Sequence, residues 1–338
     1  MKIQLRFLWI LLAGIFLNAC QKFNQIDNSS TVKTPYVLYI GGFNGTLHKT
    51  NDALYFNTLF PTDNSCVRQI VVADTNLLYL KQNFYFSKDD GKSFKRSNDH
   101  PIGFMDLFYK YYLPNSSLYD QVEKRVYLVT NNALEYSTDL GENFSVETNF
   151  DTPPAGPPTS ITQQNNGLLY LMIDSANQYK KSGTGQWTQV LQTSADRLPT
   201  DTTTWYIAHT HDTLIAIDFN GKAGVWYSTN EGTDWFACGG QPKNRKILFG
   251  NEAYGSGTFF IGFDSAGLYR LDGTTFNATS AGIPWYAKVS YVEGKRVVYR
   301  TDVTRYYMFA ATDQGLFISE TNGFDWKLLR SGNYSTLK

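Results

Sequence analysis

The stretch from Trp226 to Trp235 reads Trp-Tyr-Ser-Thr-Asn-Glu-Gly-Thr-Asp-Trp. After Ser228, an asparagine follows at the second residue (Asn230), a glycine at the fourth (Gly232) and a tryptophan at the seventh (Trp235). A short polar side chain bonds to nearby backbone N–H groups and tightens a turn, and glycine adopts the positive φ at which a chain reverses. This spacing predicts a tight turn between two strands, with the aromatic ring packed beneath it, and a structural role.

The same spacing recurs along the chain. The other clean copies are formed by Ser87, Asp89, Gly91 and Phe94, by Ser137, Asp139, Gly141 and Phe144, and by Ser319, Gly323 and Trp326. Degenerate copies begin at Thr50, Ser182 and Arg270. The seven starts are separated by about 45 residues on average, which is the period of a four-stranded propeller blade.

Short runs of β-branched and aromatic residues precede the copies, as expected of strands. Examples are 125–130 and 133–136 before the third copy, and 306–311 and 315–318 before the seventh. The aromatic content of 16 % also favours strands over helices. A further run lies upstream in most copies and is expected to form the innermost strand of each blade; it occupies 67–72, 160–163, 205–209, 246–249 and 288–292.

These patterns predict an all-β fold, a single β-propeller of seven four-stranded blades over residues 36–338. Because the first and sixth copies are degenerate, six and eight blades are the alternatives. The first copy has no evident inner strand upstream. We expect the missing strand to come either from the N-terminal segment or from the tail after Leu329, which would close the ring.

The repeat resembles the Asp-box, S-x-D-x-G-x-T-W, also called the BNR or neuraminidase-type repeat. The resemblance extends over about residues 36–330. It implies a propeller of the superfamily that contains sortilin-like receptors and photosystem assembly factors, together with sialidases and xyloglucan-cleaving glycosidases. Since enzymes and binding proteins share this repeat, it implies the fold and leaves the function open.

The N-terminal residues have the pattern expected of an export signal. Lys2 and Arg6 precede the uncharged apolar run 7–17, which is too short to span a bilayer. Leu17-Asn-Ala-Cys20 resembles a bacterial lipobox, and this resemblance implies a signal peptide at 1–19, lipidation of Cys20 and a flexible tether to residue 35. An ordinary secretory signal is the alternative. We therefore expect a lipid-anchored protein at the outer membrane or cell surface, since Gln21 rather than aspartate follows Cys20.

Charge and cysteine content narrow the function classes. Lys plus Arg and Asp plus Glu are both 30, so the net charge is zero and no nucleic-acid partner is expected. Cys66 and Cys238 fall on distant blades and should remain unpaired, largely buried thiols. His209 and His211 would share one face of a strand, but no third ligand is placed by the sequence. We expect no metal and no cofactor.

Catalytic candidates are weak. A sialidase would be expected to carry an aromatic-Arg-Ile-Pro motif, an arginine triad and a tyrosine nucleophile, but the best match, Asp196-Arg-Leu-Pro199, lacks the aromatic residue. A two-carboxylate glycosidase needs two acids across a cleft. The acids near predicted strand ends are Asp74, Asp106, Asp174, Asp218 and Asp264. No catalytic residue is assigned.

Two aromatic-rich stretches are the candidate binding sites. The first, 104–113, contributes Phe108, Tyr109, Tyr111 and Tyr112. The second contributes Trp285 and Tyr286, with Tyr291, Tyr299, Arg296, Arg300 and Arg305 following. Exposed aromatic and arginine side chains are typical of binding surfaces, although the rings would otherwise serve as inner-strand core.

The sequence thus favours a non-catalytic envelope lipoprotein whose propeller face is a platform for a protein partner or a glycan, as a subunit of an outer-membrane complex. The alternative is a glycan-active hydrolase at the cell surface, either sialidase-like or a two-carboxylate glycosidase. Clustered acids or arginines in a deep central pocket would favour the enzyme. A broad aromatic surface without such a cluster would favour the binding protein.

Overall fold

The computed structural model describes residues 32–34, 36–60, 65–81, 84–98, 115–130, 132–173, 176–193, 195–200, 205–253, 256–300 and 303–338. The described part forms 29 β-strands in seven sheets. The prediction of an all-β, seven-bladed propeller is confirmed. No helix in these residues is long and apolar enough to cross a bilayer.

The strands follow in chain order, starting with the short β1 (Val32–Thr34). The first blade takes β2 (Leu38–Gly42), β3 (Leu47–Thr50) and β4 (Asn57–Phe60). The second has β5 (Gln69–Ala73), β6 (Asn76–Leu80), β7 (Phe84–Ser87) and β8 (Lys95–Arg96). The third has β9 (Ser117–Asp120), β10 (Arg125–Val129), β11 (Leu134–Ser137) and β12 (Ser145–Val146).

The fourth blade has β13 (Pro158–Gln163), β14 (Leu169–Ile173), β15 (Asn177–Lys181) and β16 (Thr188–Val190). The fifth has β17 (Trp205–Thr210), β18 (Thr213–Asp218), β19 (Val225–Ser228) and β20 (Phe236–Ala237). The sixth has β21 (Ile247–Ala253), β22 (Thr258–Phe263), β23 (Gly267–Asp272) and β24 (Thr275–Ala278). The seventh has β25 (Val289–Tyr299), β26 (Thr304–Thr312), β27 (Gly315–Ser319) and β28 (Lys327–Ser331), and the chain ends with β29 (Tyr334–Leu337).

One strand of every blade faces the ring axis. Contacts run from β29 to β5, β9, β13, β17, β21 and β25 and back to β29, which makes a closed circle of inner strands. The upstream runs predicted as inner strands occupy these positions. The sequence analysis did not predict β9. It predicted β21 and β25 too short, because these strands extend beyond the runs 246–249 and 288–292.

The ring closes through the C-terminal tail. β29 pairs antiparallel with β2 and supplies the inner strand of the first blade. Backbone bonds between Tyr39 and Lys338 complete the pairing, with N–O distances of 2.7 and 3.0 Å. Of the two origins predicted for the missing strand, the tail is the one observed. The N-terminal segment instead contributes β1, within the region predicted as tether, and β1 pairs with β25.

The hydrophobic core is divided among the blade junctions. Seven clusters of buried residues occur in the described part, and each draws its members from two neighbouring blades. At the junction of blades four and five, for example, Tyr170 and Met172 pack with Trp205 and Trp235. Because apolar burial is the main driving force of folding, the stability of the ring lies between its blades.

Both remaining cysteines are free thiols in the structure. Cys238 is buried in the cluster between blades five and six, and burial raises the pKa of its thiol to about 12. Cys66 is only half-buried, just before the second blade.

The seventh blade is longer than the other three blades that carry a clean copy of the repeat. In each of these four blades, the serine of the repeat lies on the third strand and pairs with a residue of the second strand. In blades two, three and five, only one residue of the second strand precedes that pair. In blade seven that partner is Met308, four residues after the start of β26. The three additional residues lengthen the β25–β26 hairpin by about 10 Å. We call this end of the hairpin, residues 295–300 and 303–307, the arm.

Candidate functional site

The repeat turns share one hydrogen-bond pattern. The serine hydroxyl accepts a bond from the glycine N–H four residues later, and the residue at the second position accepts one from the N–H four residues beyond it. The serine–glycine distances are 2.8 Å for Ser87–Gly91 and Ser137–Gly141 and 2.9 Å for Ser228–Gly232 and Ser319–Gly323. The second bond measures 2.9 Å at Asp89 and Asp139, 3.0 Å at Asn230, and 2.9 Å at Thr321.

In the last copy Thr321 takes the place of the aspartate or asparagine of the other copies. The sequence analysis did not assign Thr321 to the repeat. The degenerate first copy uses a shorter version of the turn. There Thr50 Oγ1 accepts from the N–H of Ala53 at 3.0 Å, and Ala53 adopts the positive φ of 62°.

The turns also fasten neighbouring blades together. Trp326 Nε1 donates to the carbonyl of Thr279 in the preceding blade at 2.9 Å. Glu231 forms an ion pair with Lys180 at 2.6 Å, again across a junction. The polar groups of these turns are therefore used within the scaffold.

A buried ionic cluster lies at the junction of blades three and four. Lys181 donates to Glu123 at 2.7 Å and to the hydroxyl of Tyr127 at 2.9 Å. Arg125 lies 3.6 Å from Glu123 and 3.7 Å from Glu147. Burial, with the hydrogen bond to Glu123 next, raises the pKa of Tyr127. The side chain of Lys181 is only 1 % exposed and those of Glu123 and Glu147 are 4 % exposed, so a substrate cannot reach the two carboxylates.

The acids proposed for a glycosidase do not form a pair in the described residues. Asp218 bonds to the N–H groups of Asn220 and Ala223 in its own turn, at 2.9 and 2.8 Å. Asp264 lies 3.3 Å from Lys288. Asp74 follows a first strand, whereas Asp218 is the last residue of a second strand and Asp264 follows one, so Asp74 lies at the opposite end of the blades. Asp106 and Asp174 lie outside the described residues.

Glu135 has a raised pKa, as a general acid would, but its side chain is buried. Burial raises the pKa of Glu135 to about 7. Its side chain belongs to β11, and the residue is only 2 % exposed. A substrate cannot reach this carboxyl group in the folded ring.

His209 and His211 do not lie on one face of a strand, because His209 belongs to β17 and His211 lies in the turn that follows it. His209 Nδ1 lies 2.7 Å from Thr162 Oγ1, and burial, followed by the nearby Lys338, lowers the pKa of its ring to about 4. His211 is in the turn after β17, with a φ of 49°. In the described residues no group of three or more His, Cys, Asp or Glu side chains is arranged to hold a metal.

The loop between β24 and β25 displays two aromatic rings. Trp285 is 85 % exposed and Tyr286 is 57 % exposed, and their ring centroids are 5.7 Å apart at an interplanar angle of 86°. They are the central residues of a turn that the Ala287 N–H closes on the carbonyl of Pro284 at 2.9 Å. The rings therefore point away from the core predicted as their alternative location.

Both ends of this loop are fixed. Ile283 and Ala287 are buried in the cluster between blades six and seven. Upstream, the carbonyl of Ala281 accepts from the N–H of Trp326 at 2.8 Å. Downstream, the N–H of Lys288 donates to Asp313 at 2.9 Å. The loop thus holds two exposed rings in a preset geometry, which reduces the entropy lost on binding.

The aromatic and arginine residues that follow Trp285 in sequence do not join it. Tyr291 packs against Phe249, with ring centroids 6.2 Å apart. Arg296, Arg300 and Arg305 belong to the arm, at the far end of the eleven-residue strand β25. The stretch that the sequence grouped as one patch is therefore two separate surfaces, one at each end of the blade.

A groove of about 400 Å³ lies at the base of the arm. It is lined by Ser256, Arg305, Tyr306, Tyr307, Glu320, Thr321 and Asn322. Glu320 is the only carboxyl group among these lining residues, so the groove does not supply the two opposed acids of a glycosidase. Cys20, Phe108, Tyr109, Tyr111 and Tyr112 lie outside the described residues.

No family model matches the chain, and no curated protein matches its sequence. Solved structures of similar fold include YCF48 bound to a D1 peptide, with a TM-score of 0.52 and 13 % identity over 93 % of this chain and 96 % of that one. YCF48 from Cyanidioschyzon merolae has a TM-score of 0.53 and 12 % identity over 87 % and 97 %. An ancestral GH74 enzyme has a TM-score of 0.52 and 13 % identity over 88 % and 54 %.

Together with the ring of seven blades, these similarities define the class of the molecule, a seven-bladed β-propeller. At 12 or 13 % identity they describe the fold alone.

Proposed function

We propose that this chain is a non-catalytic lipoprotein of the bacterial envelope that presents its propeller as a platform for a protein partner. The observation that carries the proposal is the rigid turn with the exposed Trp285 and Tyr286. Tryptophan and tyrosine are enriched among the residues that dominate binding energy. A solved YCF48 structure is bound to a D1 peptide, which supports a peptide or protein as the ligand class.

The membrane anchor in this proposal rests on Leu17-Asn-Ala-Cys20 and its resemblance to a lipobox. A lipidated Cys20 would hold the propeller at the outer membrane or cell surface, where it would act as a subunit of an envelope complex. Mass spectrometry of the N-terminal peptide of the protein purified from membranes tests this part directly. An acylated Cys20 is expected, and an unmodified cysteine or a different N-terminus would contradict it.

The partner is tested by affinity purification of the tagged, full-length protein from mildly solubilised native membranes. We expect a stoichiometric protein to accompany the wild type and to be reduced about tenfold or more by Trp285→Ala, as for truncation of a central interface aromatic. The matched control is Tyr55→Ala, because Tyr55 is also highly exposed, at 76 %, but lies in the first blade.

Loss of the partner in both variants, or in neither, would contradict the assignment of the surface. A wild-type protein that purifies alone would contradict the platform itself, and a panel of glycans and glycosidase substrates would then be the next measurement.

A further inference from the structure

The arm is placed where the N-terminal segment enters the fold. β1 pairs with the overhanging part of β25, with Val32 opposite Tyr299 and Thr34 opposite Val298. Cys20 precedes Val32 by twelve residues. A random coil of twelve residues has a root-mean-square end-to-end distance of about 20 Å. An anchor at Cys20 would therefore hold the arm close to the bilayer.

The exposed end of the arm is cationic. Arg296, Arg300 and Arg305 are all exposed, and none of them forms an ion pair with a carboxylate in the described part of the chain. Lys295 is instead paired with the buried Glu293 at 3.7 Å. Glu320 lines the groove at the base of the arm, and in the sequence Asp302 falls between the two sides of the arm, outside the described residues. Arginines therefore outnumber acids at this end.

The opposite end of the same hairpin is far from the tether. Val303 precedes β26 and is 48 % exposed, while Gln314 follows β26 and is also exposed. Nine residues of extended strand separate the two ends of β26, a distance of about 30 Å. This exceeds the mean reach of the tether, so the two ends of the blade cannot be equally close to an anchor at Cys20.

We propose that the arm is a membrane-facing surface that binds the anionic lipid headgroups and orients the propeller, with the β26–β27 turn directed away from the bilayer. The orientation rests on the lipid anchor of the proposed function, whereas the lipid contact of the arm does not. Each arginine near an anionic surface contributes a modest attraction, so the arm sets the orientation and the lipid provides the attachment.

The lipid contact is tested without the anchor. The chain beginning at residue 21, which keeps every described residue, is sedimented with vesicles of phosphatidylcholine or of phosphatidylcholine with phosphatidylglycerol. We expect binding only to the anionic vesicles, reversed by high salt. The variant with Arg296→Gln, Arg300→Gln and Arg305→Gln should lose about tenfold or more of this binding.

The matched control changes three exposed cations elsewhere, Lys222→Gln, Lys243→Gln and Arg245→Gln, all in loops of the fifth and sixth blades. It should bind as the wild type does. Equal loss in both triple variants, or equal binding to neutral and anionic vesicles, would overturn the lipid contact of the arm. Circular dichroism of each variant verifies that the ring is folded.

The orientation is tested in the lipidated protein after acylation of Cys20 has been verified by mass. A dye attached at Val303→Cys or at Gln314→Cys transfers energy to a labelled lipid headgroup. We expect markedly stronger transfer from position 303, and a smaller difference in the triple arginine variant. Equal transfer from both positions would overturn the orientation, whereas an unacylated Cys20 would overturn only the anchor on which it rests.

Discussion

Gly232 shows how much a single residue of the repeat determines. Its φ of 86° lies in the left-handed region, and an added Cβ would overlap the side-chain amide of Gln178 in the preceding blade. The residue is therefore constrained twice, once by the turn that Ser228 closes and once by the neighbouring blade. A glycine that serves only a turn would carry the first constraint alone.

Replacing Gly232 by alanine should lower the free energy of unfolding by about 2–4 kcal/mol, because left-handed strain and overpacking add. Gly183→Ala separates the two effects, since Gly183 has a φ of 49° but no atom within 4 Å of the added Cβ. That variant should lose only about 1–2 kcal/mol. Urea unfolding measures both, and equal losses would show that the blade contact contributes nothing.

At this scale the sequence predicts some roles and leaves others open. The serine and glycine positions of the repeat can be recognised in the sequence, because the turn requires both a hydroxyl acceptor and a residue with positive φ at fixed spacing. Thr321 was not recognised, since any short side chain with an acceptor oxygen suffices at its position. The exposure of Trp285 was also undecided, because a propeller buries many aromatic rings and composition does not distinguish them from displayed ones.

Among the elements, the junction of blades three and four depends on charge as well as on apolar packing. Lys181 lies between Glu123 and Glu147 and has almost no solvent contact. A buried charge with partners is tolerated, but a partner left without its countercharge is strongly unfavourable. The cluster therefore joins the turn before β10, the residue after β12 and the end of β15.

Lys181→Met should destabilise the protein by about 3 kcal/mol, because it leaves two buried carboxylates to share the partly exposed Arg125 as their remaining countercharge. The neighbouring Lys180→Met is the control: Lys180 is 39 % exposed and pairs with the half-exposed Glu231, and its loss should amount to at most about 1 kcal/mol. Thermal and urea unfolding of the two variants should differ clearly. Similar stability of both would contradict a structural role for the buried cluster.

The elements themselves were largely predictable, and the exceptions have physical reasons. The strand runs stood out as β-branched and aromatic segments between turn residues. The end of β25 did not, because Gly294, Lys295 and Arg296 are typical of a strand terminus. The strand continues there since β26 offers paired backbone groups as far as Val298 and Thr304.

In the whole molecule, the closure of the ring depends on one short strand. All five residues of β2 are buried, and β29 is the neighbour that covers its inner edge. Without β29 the junction of blades seven and one loses Tyr334 and Leu337 from its core. The circle of inner strands then has a gap.

Removal of residues 334–338 should lower the midpoint of thermal unfolding by about 10 °C or more, since several kcal/mol of core contact are lost. Removal of the residues up to Pro35 is the control, because it deletes β1 alone and leaves every blade with four strands. That variant should unfold close to the wild-type temperature. Equal shifts for the two truncations would show that β29 is not the closing element.

The same closure has a consequence for the time course of biosynthesis. Ser335 bonds to the carbonyl of Gly41, 294 residues earlier in the chain. The first blade is therefore synthesised early, but the inner edge of β2 stays unpaired until β29 has been synthesised. Contacts of such long sequence separation form slowly, and exposed edges invite mispairing with other chains. Until β29 has been synthesised, the open edge of the first blade is thus the part of the nascent ring most exposed to pairing with another chain.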